Sequence, residues 1–200
     1  MCPAPCGSRH SAAGSHRRCA HSAVDGLSLV ELLVIVTVLA LLAAVGAPSL
    51  VRLVDSTRLS AYANDFLLAL HLARSEAIKR RGRAGLCKSA DGISCSDAGG
   101  WEQGWIVFRD ANSNGLRDEG EVVVQYTTKM AADFRFSGNA TVAAYISYVP
   151  TGRTRLAGGG FQAGTLTLCK VSDPAMGGRQ IVINSAGRAR VSRVNADSCN

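Results

Sequence analysis

Gly26-Leu27-Ser28-Leu29-Val30-Glu31-Leu32-Leu33 opens a run of apolar residues that continues to Ala47. Residues 27–47 number 21, and about 20 consecutive apolar residues cross the hydrocarbon core of a bilayer as a helix. Glu31 is the single formal charge in the run. A charge at the centre of a membrane helix costs roughly 2.5–3.5 kcal/mol on insertion scales, which marks Glu31 as a functional candidate. The alternative is a carboxylate close enough to the helix end to snorkel to the headgroups. A secretory signal peptide is a competing reading of the whole run, with Val45-Gly46-Ala47 as its cut site. That cut would leave Pro48 as the first mature residue, and the run is longer than the usual apolar region of such a peptide.

The order of these residues (a glycine, an apolar residue, then a glutamate inside an apolar run) resembles the processing signal of type IV prepilins and pseudopilins. The resemblance implies cleavage by a prepilin peptidase between Gly26 and Leu27, and N-methylation of Leu27. Leu27 stands where the family usually carries Phe or Met, and Ser28 replaces the commoner Thr. Pro48 falls where pilins place a helix-loosening proline. For Glu31 the resemblance implies a pairing with the N-terminal amine of a neighbouring subunit during assembly, which would remove the cost of a buried charge. Residues 1–26 are then a leader that is removed. They hold Cys2, Cys6 and Cys19 with His10, His16 and His21, at spacings that fit no standard zinc pattern.

Of the 200 residues, a leader and a membrane helix leave about 150 for one modest domain. Four cysteines remain there, Cys87, Cys95, Cys169 and Cys199. An even count outside an inner membrane reads as disulfides, with three possible connectivities. Cys87–Cys95 would close a polar loop and Cys169–Cys199 would tie down the C-terminal tail, and these pairs are favoured. His71 is the one histidine beyond the leader. It reads as an inert surface residue of a helix, so no Cys/His pair is available for catalysis.

The distribution of charge says more than its total. Residues 27–149 hold twelve Lys/Arg and twelve Asp/Glu. Residues 150–200 hold Arg153, Arg155, Lys170, Arg179, Arg188, Arg190 and Arg193 against Asp173 and Asp197, a net charge of +5. Clustered arginine is the electrostatic footprint of a polyanion site. A solvated basic face or a patch that touches lipid headgroups produces the same count.

Beyond Pro48, Leu59, Tyr62, Phe66, Leu70, Ala73 and Ala77 recur at three- and four-residue steps and predict one apolar stripe on a helix. Lys79-Arg80-Arg81 before Gly82 reads as a basic last turn with a glycine stop. Strands are predicted at 83–88, 104–109, 121–127, 133–137, 142–149, 165–171, 179–184 and 188–194, with Gly, Asn, Asp or Pro between them. Gly158-Gly159-Gly160 reads as a flexible link, because no Lys-Ser/Thr follows it as in a phosphate loop.

Leu72-Ala73-Arg74-Ser75-Glu76-Ala77-Ile78-Lys79-Arg80, then Gly104-Trp105-Ile106-Val107-Phe108 before an Asp/Asn/Gly loop, then Ser185-Ala186-Gly187-Arg188, resemble in that order the GspH/FimT group of minor pilins and pseudopilins. The implied fold is α+β: a long N-terminal helix packed on an antiparallel β-rich head. The implied organisation is a leader (1–26), a transmembrane half-helix (27–52), an amphipathic half-helix (53–82) and a periplasmic head (83–200). The subunit would be anchored in the bacterial inner membrane by a single span and built into a pilus or pseudopilus with other pilins. FimT-like members bind DNA through a Gly-Arg-x-Arg element, which Gly187-Arg188-Ala189-Arg190 matches, with Arg193 close behind. Gly152-Arg153-Thr154-Arg155 has the same form.

Arginines at i and i+2 of a strand share a face, so Arg188 and Arg190 would offer two guanidinium forks to phosphate oxygens. Phe161 is the one aromatic residue in 150–200, so contact with double-stranded DNA would be backbone-directed and independent of sequence. The alternative is that these arginines make salt bridges or touch neighbouring subunits. Asp110, Asn112, Asn114, Gly115, Asp118 and Glu121 match the ligand spacing of a calcium loop. Asp and Asn also build turns by bonding their own backbone, and the position between two predicted strands favours a polar hairpin loop.

No nucleophile, paired-carboxylate or nucleotide motif stands out. The leading expectation is a non-enzymatic minor pilin of a type IV pilus, acting in filament initiation or at the tip and capturing DNA. A pseudopilin of a type II secretion system is the alternative, and a signal-anchored envelope enzyme would need a catalytic cluster that these residues do not offer.

Overall fold

A computed structural model describes residues 28–199. Gly26 and Leu27, the expected processing site, lie outside the described residues. By its contacts the chain divides into a unit ending at Ala44 and a second unit beginning at Val45. Helix α1 is assigned over Leu29–Arg80, and it is long and apolar enough to cross a membrane. In the first unit its described side chains are exposed, and Glu31 stands in its first turn.

In the second unit the helix buries the predicted stripe. Leu59, Phe66, Leu70, Ala73 and Ala77 are fully enclosed, joined by Ala63 and Ala69, and Tyr62 is half-buried. His71 is exposed. The helix ends one residue earlier than the glycine stop predicts. Arg81, with φ of 51°, takes the left-handed position, and Gly82 N–H then reaches back to Ala77 O at 3.3 Å.

Eight strands follow: β1 (Arg83–Lys88), β2 (Trp105–Asp110), β3 (Val123–Thr127), β4 (Phe134–Gly138), β5 (Tyr145–Tyr148), β6 (Gly164–Lys170), β7 (Gly178–Ile183) and β8 (Ala189–Val194). They form two antiparallel sheets, ordered β3-β2-β1-β5 and β4-β6-β7-β8. Each predicted strand has its counterpart, and the boundaries that differ do so for local reasons. Val142 starts no strand because its N–H closes a turn onto Asn139 O and its carbonyl accepts the Trp101 indole N–H. Glu121 lies outside β3 because its carboxylate binds backbone N–H groups of the preceding loop. The Gly158–Gly160 stretch is a hydrogen-bonded reversal, with Gly159 N–H on Leu156 O and Leu156 N–H on Gly160 O, both 2.9 Å. It pairs Arg155 with Phe161 across an isolated bridge.

The core lies where the helix stripe meets the inner faces of both sheets. Leu86, Trp105, Val107, Ile146 and Tyr148 come from the first sheet, and Phe134, Phe136, Leu166, Leu168, Ile181 and Ile183 from the second. Phe66 is edge-on to Trp101, Trp105 and Phe136, with ring centroids 5.0, 5.1 and 4.8 Å away. The first sheet is also covered on its outer face, where Cys87, Ile106 and Phe108 make a small second core with Cys95, Val123 and Tyr145. That double burial explains why β1 and β2 read as near-continuous apolar runs rather than alternating ones.

Disulfides join Cys87 to Cys95 and Cys169 to Cys199, with Cα atoms 5.6 and 5.7 Å apart. The first packs in the outer core of sheet one, and the second fastens the C-terminal tail to β6.

Phe66→Ala removes the ring shared by both sheets. It is expected to lower stability by about 3–5 kcal/mol, as for large aromatic truncations in cores. Denaturant unfolding of a soluble head (residues 53–200, which retains the whole buried core from Leu59 onward) reads this as a lower midpoint, and a loss under about 1 kcal/mol would contradict the packing. Replacing both Cys169 and Cys199 by Ser opens a loop whose ends are 30 residues apart. The expected loss is about 3–4 kcal/mol in the chain-entropy model, checked by thermal unfolding of the same head.

Candidate nucleic-acid interface

The fold brings the two Gly-Arg-x-Arg elements together. Gly187 sits in the turn between β7 and β8, and Gly152 in the turn after β5, with φ of 75° and 72°. These left-handed values favour glycine at both places. A Cβ on Gly187 would run into Gly152 O and the Tyr148 ring, so the two turns touch backbone to backbone. Arg74, on α1, holds them from below: its Nη1 donates to Gly187 O at 3.0 Å, and its guanidinium underlies Gly152. The buried Thr154 hydroxyl lies 2.6 Å from Gln162 O and 3.1 Å from Asn184 O, joining the turn after β5 to the turn after β7.

Arg188 precedes β8, where its N–H donates to the Asn184 side-chain oxygen at 3.0 Å. Arg190 lies within β8, an edge strand, opposite Val182. Both arginines are exposed and line one shallow cavity of about 410 Å³ with Val182, Asn184 and Ala189. Arg193 is elsewhere. Three residues beyond Arg190 on a strand, it points to the opposite, helix-side face, in register with the buried Arg179. It therefore does not join the Arg188–Arg190 surface, contrary to the expectation from sequence proximity.

Arg153 is exposed and Arg155 half-buried. Both lean on Phe161, with guanidinium carbons 5.8 and 4.8 Å from the ring centroid, and Arg155 Nη1 also donates to Gly159 O at 2.8 Å. Phe161 is 62 % exposed, so the ring serves as a platform that orients these cations. Among the described residues, none of Arg153, Arg155, Arg188 and Arg190 is in an ion pair. The contribution of Arg74 has no signal in the sequence beyond its position on the polar side of the helical stripe.

The Asp110–Glu121 loop joins antiparallel β2 and β3, as a hairpin loop. Its acceptors are engaged by the loop itself. Asp110 is buried and accepts N–H groups of Asn114 and Gly115 at 3.1 and 3.0 Å. Burial raises its pKa, and the Glu121 charge adds to the rise. Glu121 accepts from Ala111 and Asp118 N–H, and Asp118 accepts from the side-chain amides of Asn112 and Asn114. Among the described residues no group of three or more His, Cys, Asp or Glu is placed to hold a metal ion.

The family described as "Type II transport protein GspH" matches residues 62–187. No curated protein matches the sequence. The structure is similar to the type IV minor pilin FimU of Pseudomonas aeruginosa, with a TM-score of 0.51 at 19 % identity over 69 % of this chain and 90 % of that one. A further similar structure is the minor pseudopilin EpsH of the type 2 secretion system of Vibrio cholerae, with a TM-score of 0.46 at 12 % identity over 67 % of this chain and 95 % of that one. The apolar N-terminal helix is consistent with an inner-membrane anchor. With the match spanning most of the buried stretch of the core helix and seven of the eight strands, the chain belongs to the GspH family of pilin-type structural, non-enzymatic subunits.

Proposed function

We propose that this chain is a minor pilin of a type IV pilus. It is inserted as a single-span precursor with a periplasmic head and cut by prepilin peptidase after Gly26. It is methylated on Leu27 and drawn into the initiating or tip complex through Glu31. At the surface it holds double-stranded DNA by its phosphates. The observation that carries the DNA reading is the back-to-back contact of the Gly152 and Gly187 turns, which brings together the backbone segments that carry Arg153/Arg155 and Arg188/Arg190, with no carboxylate paired to these arginines among the described residues. Bidentate guanidinium forks suit phosphate oxygens. The arginine-laden face of Phe161 directs the contact to the backbone rather than to stacked bases.

A second reading is supported by the description of the matching family, a type II transport protein. On that reading the same head belongs to the short filament of a secretion system, and the basic turns meet neighbouring subunits.

DNA titration across salt separates the two. The soluble head is expected to bind duplexes of unrelated sequence equally, with affinity falling linearly on a log–log salt plot. Arg188→Ala/Arg190→Ala is expected to weaken binding and flatten the slope by about 0.9 per phosphate contact removed. Gly187→Ala, which keeps every charge but forces the turns apart, is expected to weaken binding as well. No binding by the folded head at low salt would remove the DNA role and favour the secretion reading. The processing claim has its own check: the mass of the membrane-extracted chain is expected to correspond to an N-methylated Leu27 start, and any other N-terminus sinks it.

A further inference from the structure

Five cations, Arg52, Arg58, Lys170, Arg179 and Arg193, lie on the Arg52–Ser60 stretch of α1 or are linked to it. Three are matched by carboxylates. Arg52 pairs with Asp173, Arg58 with Asp55, and Lys170 with both Asp55 and Asp133. Arg179 and Arg193 are left over: among the described residues neither is in an ion pair. Arg179 is only 7 % exposed. Its Nη atoms donate to neutral acceptors alone, Gly178 O at 3.1 Å, the Ser56 carbonyl and hydroxyl at 3.4 and 3.2 Å, and the Ser60 hydroxyl at 3.0 Å. Arg193 stands directly across β7/β8 from it. Like charges in direct cross-strand register repel, and a buried charge without a counter-ion is costly. Burial and the Arg193 charge both push the Arg179 pKa down. The subunit alone therefore holds a guanidinium pair that an anion would stabilise.

The surroundings indicate which anion. Leu50, Val51, Leu53 and Val54 are each half or more exposed on the helix just before Ser56. At 1.5 Å per residue, Ser56 and Ser60 lie about 3 and 9 Å beyond Val54 along the helix axis. The interfacial layer of a bilayer is roughly 5–8 Å thick on each side. Exposed apolar residues followed within two turns by surplus arginine is the arrangement that meets hydrocarbon first and phosphate next.

We propose that Arg179 and Arg193, backed by Ser56 and Ser60, form a phosphate-oxyanion site that takes a phospholipid headgroup while the subunit is held in the membrane. Arg193 reaches the phosphate, and Arg179, fixed on the helix hydroxyls, supplies a second positive charge from behind. Leaving the bilayer for a filament would remove the lipid, so the site also favours retention of the unassembled subunit.

The test uses the full mature chain in a neutral detergent, titrated with phosphatidylglycerol, phosphatidylcholine or inorganic phosphate and read by native mass spectrometry. The expected result is retained phospholipid with phosphatidylglycerol preferred. Retention should fall about fivefold in Arg193→Ala, while Lys129→Ala, which removes an exposed cation from the loop between β3 and β4, leaves it unchanged. Arg193 is exposed, so its loss does not threaten the fold; Arg179→Lys, which keeps the charge and loses the fork, is expected to fall in between. Equal lipid retention by wild type and Arg193→Ala would overturn the proposal. So would uptake of inorganic phosphate with no lipid preference. Unchanged lipid retention together with loss of co-purifying pilin subunits in Arg193→Ala would overturn it in favour of a neighbouring subunit's carboxylate.

Discussion

Two sheets that share no strand have to be covered by one face of one helix, and everything else in the head answers to that requirement. Phe66 stands at the meeting point, edge-on to Trp101 and Trp105 on one side and to Phe136 on the other. Because a strand's side chains alternate, the choice of which residues face the helix fixes the register of each sheet. Alanines at 63, 69, 73 and 77 let the helix backbone come close enough for both sheets to reach it. Away from the helix the sheets are joined by polar contacts. Gln162, fully buried, caps Ser147 N–H at the free edge of β5 with its side-chain oxygen and donates to Thr141 O and Tyr145 O. An edge strand that would otherwise expose its backbone is thereby satisfied inside the molecule.

The fold was legible where a physical period was present. The three- and four-residue recurrence from Leu59 to Ala77 marked the buried helix face, and β-branched runs between turn residues located all eight strands. Legibility failed where long-range partners decide. Val142 reads as the start of a strand, yet its carbonyl is claimed by Trp101, 41 residues away in sequence. Arg193 reads as a neighbour of Arg190, and strand alternation sends it to the other face. The glycine triplet reads as a flexible link, and the bridge between Arg155 and Phe161 makes it a defined reversal.

The candidate site divides in the same way. Both Gly-Arg-x-Arg elements are visible in the chain, each as a turn followed by arginines two residues apart. Their contact is not visible, because it depends on β5 and β7 lying in different sheets whose ends converge, and on Arg74 of the helix reaching both. No local pattern encodes such an arrangement.

The cations of the head sort by what satisfies them, and that sorting connects the fold to its use. Lys170 is held between Asp55 and Asp133, and its pKa is raised chiefly by the hydrogen bond to Asp55. Arg74 has its guanidinium tied to the glycine turns. Arg153 and Arg155 rest on an aromatic ring. Arg188, Arg190 and Arg193 project into solvent. Arg190 and Arg193 stand on opposite faces of β8, one toward the glycine-turn side and one toward the helix. Since a strand's two faces cannot contact one flat partner at once, the proposed nucleic-acid and lipid contacts would use different faces of β8.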